Sequence, residues 1–177
     1  MSTIESFGQR IIEASGQSAN LEIYPELEKL GGNGPIMAHS ILSMGMPVQY
    51  IGALGNPIHS VFEDFARQTQ AVSLSEPGIT HALEFEDGKL MLGEMAGLDH
   101  VTYDNVIKVM GEGPFFDAVS RADLISLVNW TMVPNMTAFF EALLDRVLPN
   151  LGPKESGRTF YFDLADPAKR SRSDLKI

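Results

Sequence analysis

Residues 29–45, KLGGNGPIMAHSILSMG, place three glycines and an asparagine directly ahead of an apolar run. Gly31, Gly32 and Gly34 permit positive φ and let a ligand approach the backbone closely. Asn33 carries a donor and an acceptor on one planar side chain. A helix that starts here has first-turn N–H groups without intrahelical partners, at the positive end of its dipole. Together these features suit a polyhydroxylated or anionic small molecule. The same residues also read as a tight turn closed by an asparagine cap. They are not a common nucleotide loop, since neither Gly-x-x-x-x-Gly-Lys-Ser/Thr nor Gly-x-Gly-x-x-Gly occurs.

A second group of reactive side chains lies in FYFDLADPAKR, residues 160–170. Asp163 and Asp166 follow an apolar aromatic run that reads as a strand. Ligands of open α/β sheets bind at the carboxyl ends of strands, and such carboxylates can order Mg2+ through water. Alternatively, Asp166 caps a helix with Pro167 in its first turn. Asn129 ends another apolar run, DLISLVN, where it either lines a cleft or makes a plain turn. His39, His59, His81 and His100 have no metal-binding partner at i+4, so structural or surface roles are expected. The chain has no cysteine, which excludes disulfides, thiolate metal sites and cysteine nucleophiles.

The elements that must position these residues follow from pattern. PIMAHSILSMG (35–45) predicts a helix with Ile36, Ala38, Ile41, Leu42 and Met44 on a mostly buried surface and Gly45 at its stop. VQYIGALG (48–55) predicts a strand, and HSVFEDFARQTQ (59–70) a helix burying Val61, Phe62, Phe65 and Ala66. HALEFEDGKLMLGE (81–94) alternates about Asp87-Gly88, the pair favoured by type I′ turns, and predicts a hairpin. Helices follow over 103–111 and 114–122. DLISLVN predicts a strand buried on both faces. NMTAFFEALLDRVLPNL (135–151) predicts an amphipathic helix with Phe139, Phe140, Leu143, Leu144 and Val147 inside. RTFYFDLAD (158–166) predicts the last strand. LEIYPELEKL (21–30) fits a short strand or a helix, and residues 1–20 are weakly patterned. Helices alternating with apolar strands imply a parallel α/β sheet.

The bulk numbers agree with a folded domain. The 177 residues are 44% apolar and 20% charged, a globular composition. A net charge of -10 argues against a nucleic-acid partner. No apolar stretch reaches the roughly 20 residues that cross a bilayer. No secretion signal opens the chain, and a cytoplasmic location is expected.

The order of the GGNG turn, its helix and VQYIGALGN resembles the N-terminal signature of the ribokinase-type (PfkB-like) carbohydrate and nucleoside kinases. The matching residues are Gly31, Gly32 and Asn33, then Gly52, Leu54 and Gly55. The likeness runs from about Asn20 to near the end of the chain. It implies a ribokinase-like parallel sheet flanked by helices with a small β lid, incomplete at both ends. Residues 1–177 would form one partial domain, with lid elements at approximately 18–30 and 71–95. The activity implied is transfer of the γ-phosphate of ATP, with Mg2+, to a sugar or nucleoside hydroxyl. Gly31, Gly32, Asn33 and Asn129 would bind the substrate, and Asp163, Asp166 and Arg170 would lie near the phosphates and metal. In such families the lid often pairs subunits, and Leu83, Phe85, Leu90 and Leu92 would supply the face for a homodimer or pack over the sugar.

The chain departs from the family pattern in four ways. Asn56 replaces the usual aspartate of the glycine turn. No opening strand with a sugar-binding aspartate precedes residue 20. The glycine-rich motif that supplies the anion hole and the catalytic base is missing. DPAKR fits Asp-Pro-Asn-x-Arg only with Ala168 in the asparagine's place, or else Asp163 is the motif equivalent. The expectation is therefore the N-terminal part of a kinase, inactive by itself because it lacks the base. Two rivals stand beside it: a non-catalytic sugar-binding or oligomerising remnant, and an unrelated α/β domain in which GGNG is only a turn.

Overall fold

Parallel pairing arises from two strand–helix–strand crossings. In the first, β1 (Ile51–Gly52) leads through a 3-10 turn at Ser60–Phe62 and helix α3 (Glu63–Gln68) to β2 (Val72–Ser73). β2 pairs parallel to β1 with Ile51 opposite Val72. In the second, β5 (Leu124–Leu127) leads through helix α6 (Met136–Ala142) to β6 (Thr159–Phe162). These two strands pair parallel from Leu124–Thr159 to Leu127–Phe162. Parallel strands need such crossovers because their ends lie far apart. The computed structural model describes residues 1–154 and 157–176. It divides into a smaller unit, Met1–Glu28 with Gly78–Glu94, and a larger one, Lys29–Pro77 with Met95–Ile177.

The larger unit holds both crossings and the main core. Val106 of helix α4 (Tyr103–Met110) and Phe115 and Val119 of helix α5 (Glu112–Arg121) pack with Leu74, Leu127, Leu143 and Val147. A second cluster joins Ala38 of helix α2 (Asn33–Ser43) to Leu54, Phe62 and Phe65. Leu54 and Val147 are wholly buried. The sequence predicts one parallel sheet, whereas the described residues form two separate two-stranded parallel ladders and a hairpin. Past β2, the Asn105 side chain donates to the Leu74 carbonyl at 3.0 Å and to that of His100 at 2.9 Å.

Several local expectations change for identifiable reasons. β5 is half-buried rather than buried on both faces: Ile125 and Leu127 face the core, while Leu124 is 42% exposed. Successive strand residues point to opposite faces, and only one face is covered. The helix over 135–151 is regular only to Ala142, then runs as a π-helical turn, Leu143–Val147, and a 3-10 turn, Leu148–Asn150. Leu143 and Val147 are buried, but Leu144 is 61% exposed, because neighbouring helix positions lie on different faces. On α2 the buried residues are Pro35 and Ala38, whereas Ile36 and Met44 are exposed. Residues 21–30 form neither strand nor helix. Ile23, Tyr24 and Leu27 there stay exposed, so no burial offsets the entropy of ordering them.

The smaller unit is a helix set on a hairpin. α1 (Ile4–Glu13) opens with a capping box between Thr3 and Ser6. β3 (Ile79–Phe85) and β4 (Gly88–Glu94) pair antiparallel, with Leu83 opposite Leu90. The register puts Glu86-Asp87 in the turn, one residue before the predicted pair, and neither has positive φ, so the turn is not type I′. The N-terminus of the chain accounts for the shift. Asp87 accepts a 2.8 Å hydrogen bond from the Ile4 N–H, Glu86 N–H donates to the Ser2 carbonyl, and Gly88 takes the positive φ. Phe7 packs on Phe85 with ring centroids 5.4 Å apart. Of the lid ranges 18–30 and 71–95, the first carries no strand, and within the second Val72–Ser73 belongs to the parallel ladder with β1.

Candidate functional site

The glycine turn opens α2 without a side-chain cap. Gly32 is the N-cap at φ 86°, a conformation that excludes most side chains, and no side chain closes the helix end. Asn33 is the first helical residue, so the asparagine-cap reading of GGNG does not hold. Its side chain reaches across the fold instead: Nδ2 donates to Asp163 Oδ2 at 2.8 Å, over 130 positions of sequence. Gly31 has open space where a side chain would stand, which leaves the backbone accessible next to this pair.

Asp163 is fixed by the end of the second parallel ladder. Its N–H donates to the Leu127 carbonyl at 3.0 Å, and its carbonyl accepts from the Trp130 N–H at 2.9 Å. The second carboxylate oxygen accepts from the Ala165 N–H at 2.9 Å. Ala165 is left-handed at φ 56°, and Asn129 on the neighbouring strand end is left-handed at φ 67°. Two consecutive strand ends therefore break into tight turns side by side, and both leave the sheet in the same direction because the strands are parallel. Asn129 Oδ1 accepts from the Met132 N–H at 3.3 Å, the plain-turn geometry, and Thr131 Oγ1 donates to the Leu164 carbonyl at 2.6 Å. Asn129 thus stands beside Asp163 through the backbone, with its own carbonyl group holding a turn.

The remaining predicted residues have structural work. Asp166 Oδ1 accepts from the Ala168 N–H at 3.3 Å and caps the short 3-10 turn Pro167–Lys169. This is the capping alternative read from the sequence. Arg170 donates to the carbonyls of Pro134 at 3.2 Å, Val133 at 2.7 Å, and Trp130. Its guanidinium also lies 4.8 Å from the centre of the Trp130 ring, a cation–π contact. A guanidinium holding three carbonyls is not displayed to a phosphate. The signals for this clamp, Trp130 and Pro134, lie far from Arg170 in the sequence, so spacing does not reveal it.

Tyr50 is a residue that motif reading passes over. It precedes β1, and its hydroxyl lies against both the glycine turn and the end of the strand. A Cβ on Gly34 would stand 3.0 Å from its Oη, and one on Gly52 2.8 Å. Burial pushes its phenol pKa up to about 12, since the charged form is disfavoured away from water. The phenol is therefore neutral across the physiological range.

The fit to Mg2+ and a triphosphate is poor. Among the described residues no group of three or more His, Asp or Glu side chains is placed to hold a metal. Asp163 has one oxygen on an amide and the other on a backbone N–H. The arrangement is instead suited to a neutral polyol, which needs donors and acceptors together.

Comparison with known proteins supports the class read from the sequence, a relationship to the ribokinase-type (PfkB-type) sugar kinases. A model of the prokaryotic ketohexokinase family matches residues 1–176, and the chain belongs to that family. A ketohexokinase of Haloferax volcanii is 27% identical over 171 residues, covering 95% of this chain and 45% of the relative. The chain thus spans less than half the length of that curated relative. No solved structure matches. Among the described residues no helix is long and apolar enough to cross a membrane.

Proposed function

We propose that this chain is the sugar-holding part of a ketohexokinase, in which a ketohexose hydroxyl receives the γ-phosphate of ATP. The carrying observation is the 2.8 Å contact between Asn33 Nδ2 and Asp163 Oδ2. It joins the glycine turn to a strand end and presents an amide beside a carboxylate. Sugar hydroxyls are at once donors and acceptors, and this pair offers both functions. Gly31 and Gly32 leave the adjoining backbone open to a ring or chain of hydroxyls. Asn129 stands at the neighbouring strand end as part of the floor. The ribokinase-like arrangement, with the hairpin of Ile79–Glu94 as a lid, belongs to this reading. Leu83, Phe85, Leu90 and Leu92 lie on one face of the hairpin, where Phe7 of α1 covers Phe85 and Leu92 stays exposed; pairing of two copies through this face belongs to the same reading.

Mechanistically, the described residues bind and orient. Asp163 accepts from a sugar hydroxyl and Asn33 fixes its carboxylate. ATP with Mg2+ supplies the phosphoryl group in the complete reaction. Asp166 and Arg170 hold backbone rather than phosphate, so no step is assigned to them. Calorimetric titration of D-fructose tests the reading. Asn33→Ala and Asp163→Asn should each weaken binding about tenfold, the worth of one charge-assisted hydrogen bond. Unchanged affinity in both would remove the reading.

A further inference from the structure

The turn that carries Asp163 is held from the neighbouring strand end. Ala165 is left-handed at φ 56°, a conformation disfavoured for any residue with a Cβ. Rotating the Leu164–Ala165 peptide plane would return Ala165 to negative φ, so the plane must be held where it is. Two hydrogen bonds hold it, one on each side. Thr131 Oγ1 donates to the Leu164 carbonyl at 2.6 Å. The Ala165 N–H donates to Asp163 Oδ1 at 2.9 Å. In a trans peptide the C=O and N–H are fixed in one plane and point opposite ways, so holding the carbonyl also aims the N–H. The bond accepted by the carbonyl also polarises the same peptide and strengthens the bond its N–H donates. With Oδ1 engaged in this way, Oδ2 is the oxygen that meets Asn33 Nδ2 at 2.8 Å. Thr131 itself is placed by the turn after β5: Asn129 Oδ1 accepts from the Met132 N–H, and the Trp130 N–H donates to the Asp163 carbonyl. Leu164 is 46% exposed, so water could satisfy its carbonyl as well as a hydroxyl does. Water would not hold the plane in one orientation.

We infer that Thr131 is a positioning residue for the sugar-binding carboxylate: its hydroxyl locks the Leu164–Ala165 peptide, so that the Ala165 N–H holds Asp163 Oδ1 and Oδ2 is presented beside Asn33. This rests on the sugar site proposed above. The experiment titrates D-fructose calorimetrically into the wild-type chain, Thr131→Val, Thr131→Ser, Asn33→Ala, Asp163→Ala, and the double variant Thr131→Val with Asp163→Ala. Thr131→Val should weaken fructose binding roughly three- to tenfold, the worth of one hydrogen bond, with a melting temperature within about 4 °C of wild type. Thr131→Ser, which restores the hydroxyl, should bind within about twofold of wild type. In the Asp163→Ala background the effect of Thr131→Val should vanish, because no carboxylate is left to aim. Amide exchange read by NMR tests the lock without ligand: the Ala165 N–H should exchange at least about fivefold faster in Thr131→Val than in wild type or Thr131→Ser. If Asn33→Ala weakens fructose binding while Thr131→Val matches wild type, the Thr131 role is overturned and the sugar site stands. A Thr131→Val loss that is equally large without the Asp163 carboxylate also overturns it, since general packing would then be responsible. So does a loss that Thr131→Ser fails to restore, or an Ala165 exchange rate that Thr131→Val leaves unchanged. A wild-type chain that binds no fructose overturns the site and the Thr131 role together.

Discussion

The two parallel crossings share a topology and end in opposite kinds of chemistry. The first, between β1 and β2, ends in glycine: Gly52 makes room for Tyr50, and Gly55 at φ 99° turns the chain where a Cβ would meet the Pro57 carbonyl at 2.7 Å. It supplies shape. The second, between β5 and β6, ends in Asn129 and Asp163, both tied by backbone hydrogen bonds, and supplies charge and polarity. One βαβ unit makes room and the other provides the polar group. The Asn33–Asp163 contact draws the helix that precedes the first crossing to the end of the second. A ligand site of this kind depends on both, but a substitution should fail differently in each.

The largest effect should come from the shape-giving end. Gly55→Val places a β-branched residue at positive φ against backbone atoms and should cost more than about 3 kcal/mol, seen as loss of cooperative thermal unfolding. A normal melt would break the comparison. Next, Arg170→Ala removes hydrogen bonds to three carbonyls and the contact with Trp130. It should lower stability by about 2–3 kcal/mol in urea denaturation while leaving fructose affinity within about twofold. A selective loss of affinity would instead place Arg170 at the ligand.

Tyr50 gives a pH prediction that belongs to the first crossing alone. Its folded pKa is about 12 against an ordinary 10.0. Between these values the unfolded chain releases the proton first, so stability falls as pH rises through this window and is fully present below it. The loss should be on the order of 2 kcal/mol, read as the difference between wild type and Tyr50→Phe in denaturation series from pH 9 to 12. Parallel curves for the two proteins would refute it. The smallest change in stability should follow Asn33→Ala, under about 1 kcal/mol because the pair is exposed, alongside its roughly tenfold effect on sugar binding.

Much of this was legible where the signal is local. The glycine turn with Pro35 marks the start of α2, and the alternation in residues 81–94 marks the hairpin. The apolar runs mark the strands of the second crossing. What stays hidden is decided by partners distant in sequence. Nothing near Asn33 says that its amide will meet Asp163. Asp87-Gly88 is a sound turn pair by itself, but the N–H of Ile4 takes the Asp87 carboxylate and the turn moves back one residue. Arg170 looks like a phosphate ligand until Trp130, Val133 and Pro134 surround it. Leu144 fits an apolar pattern, but Leu143 and Val147 already fill the space the core offers.

The 130-residue span between Asn33 and Asp163 also has a kinetic meaning. Contacts between remote segments form only after the intervening chain has been collapsed and ordered. Sugar affinity would therefore emerge late during folding, after β6 has docked, and a growing polypeptide on the ribosome would remain blind to its ligand until Asp163 had left the exit tunnel.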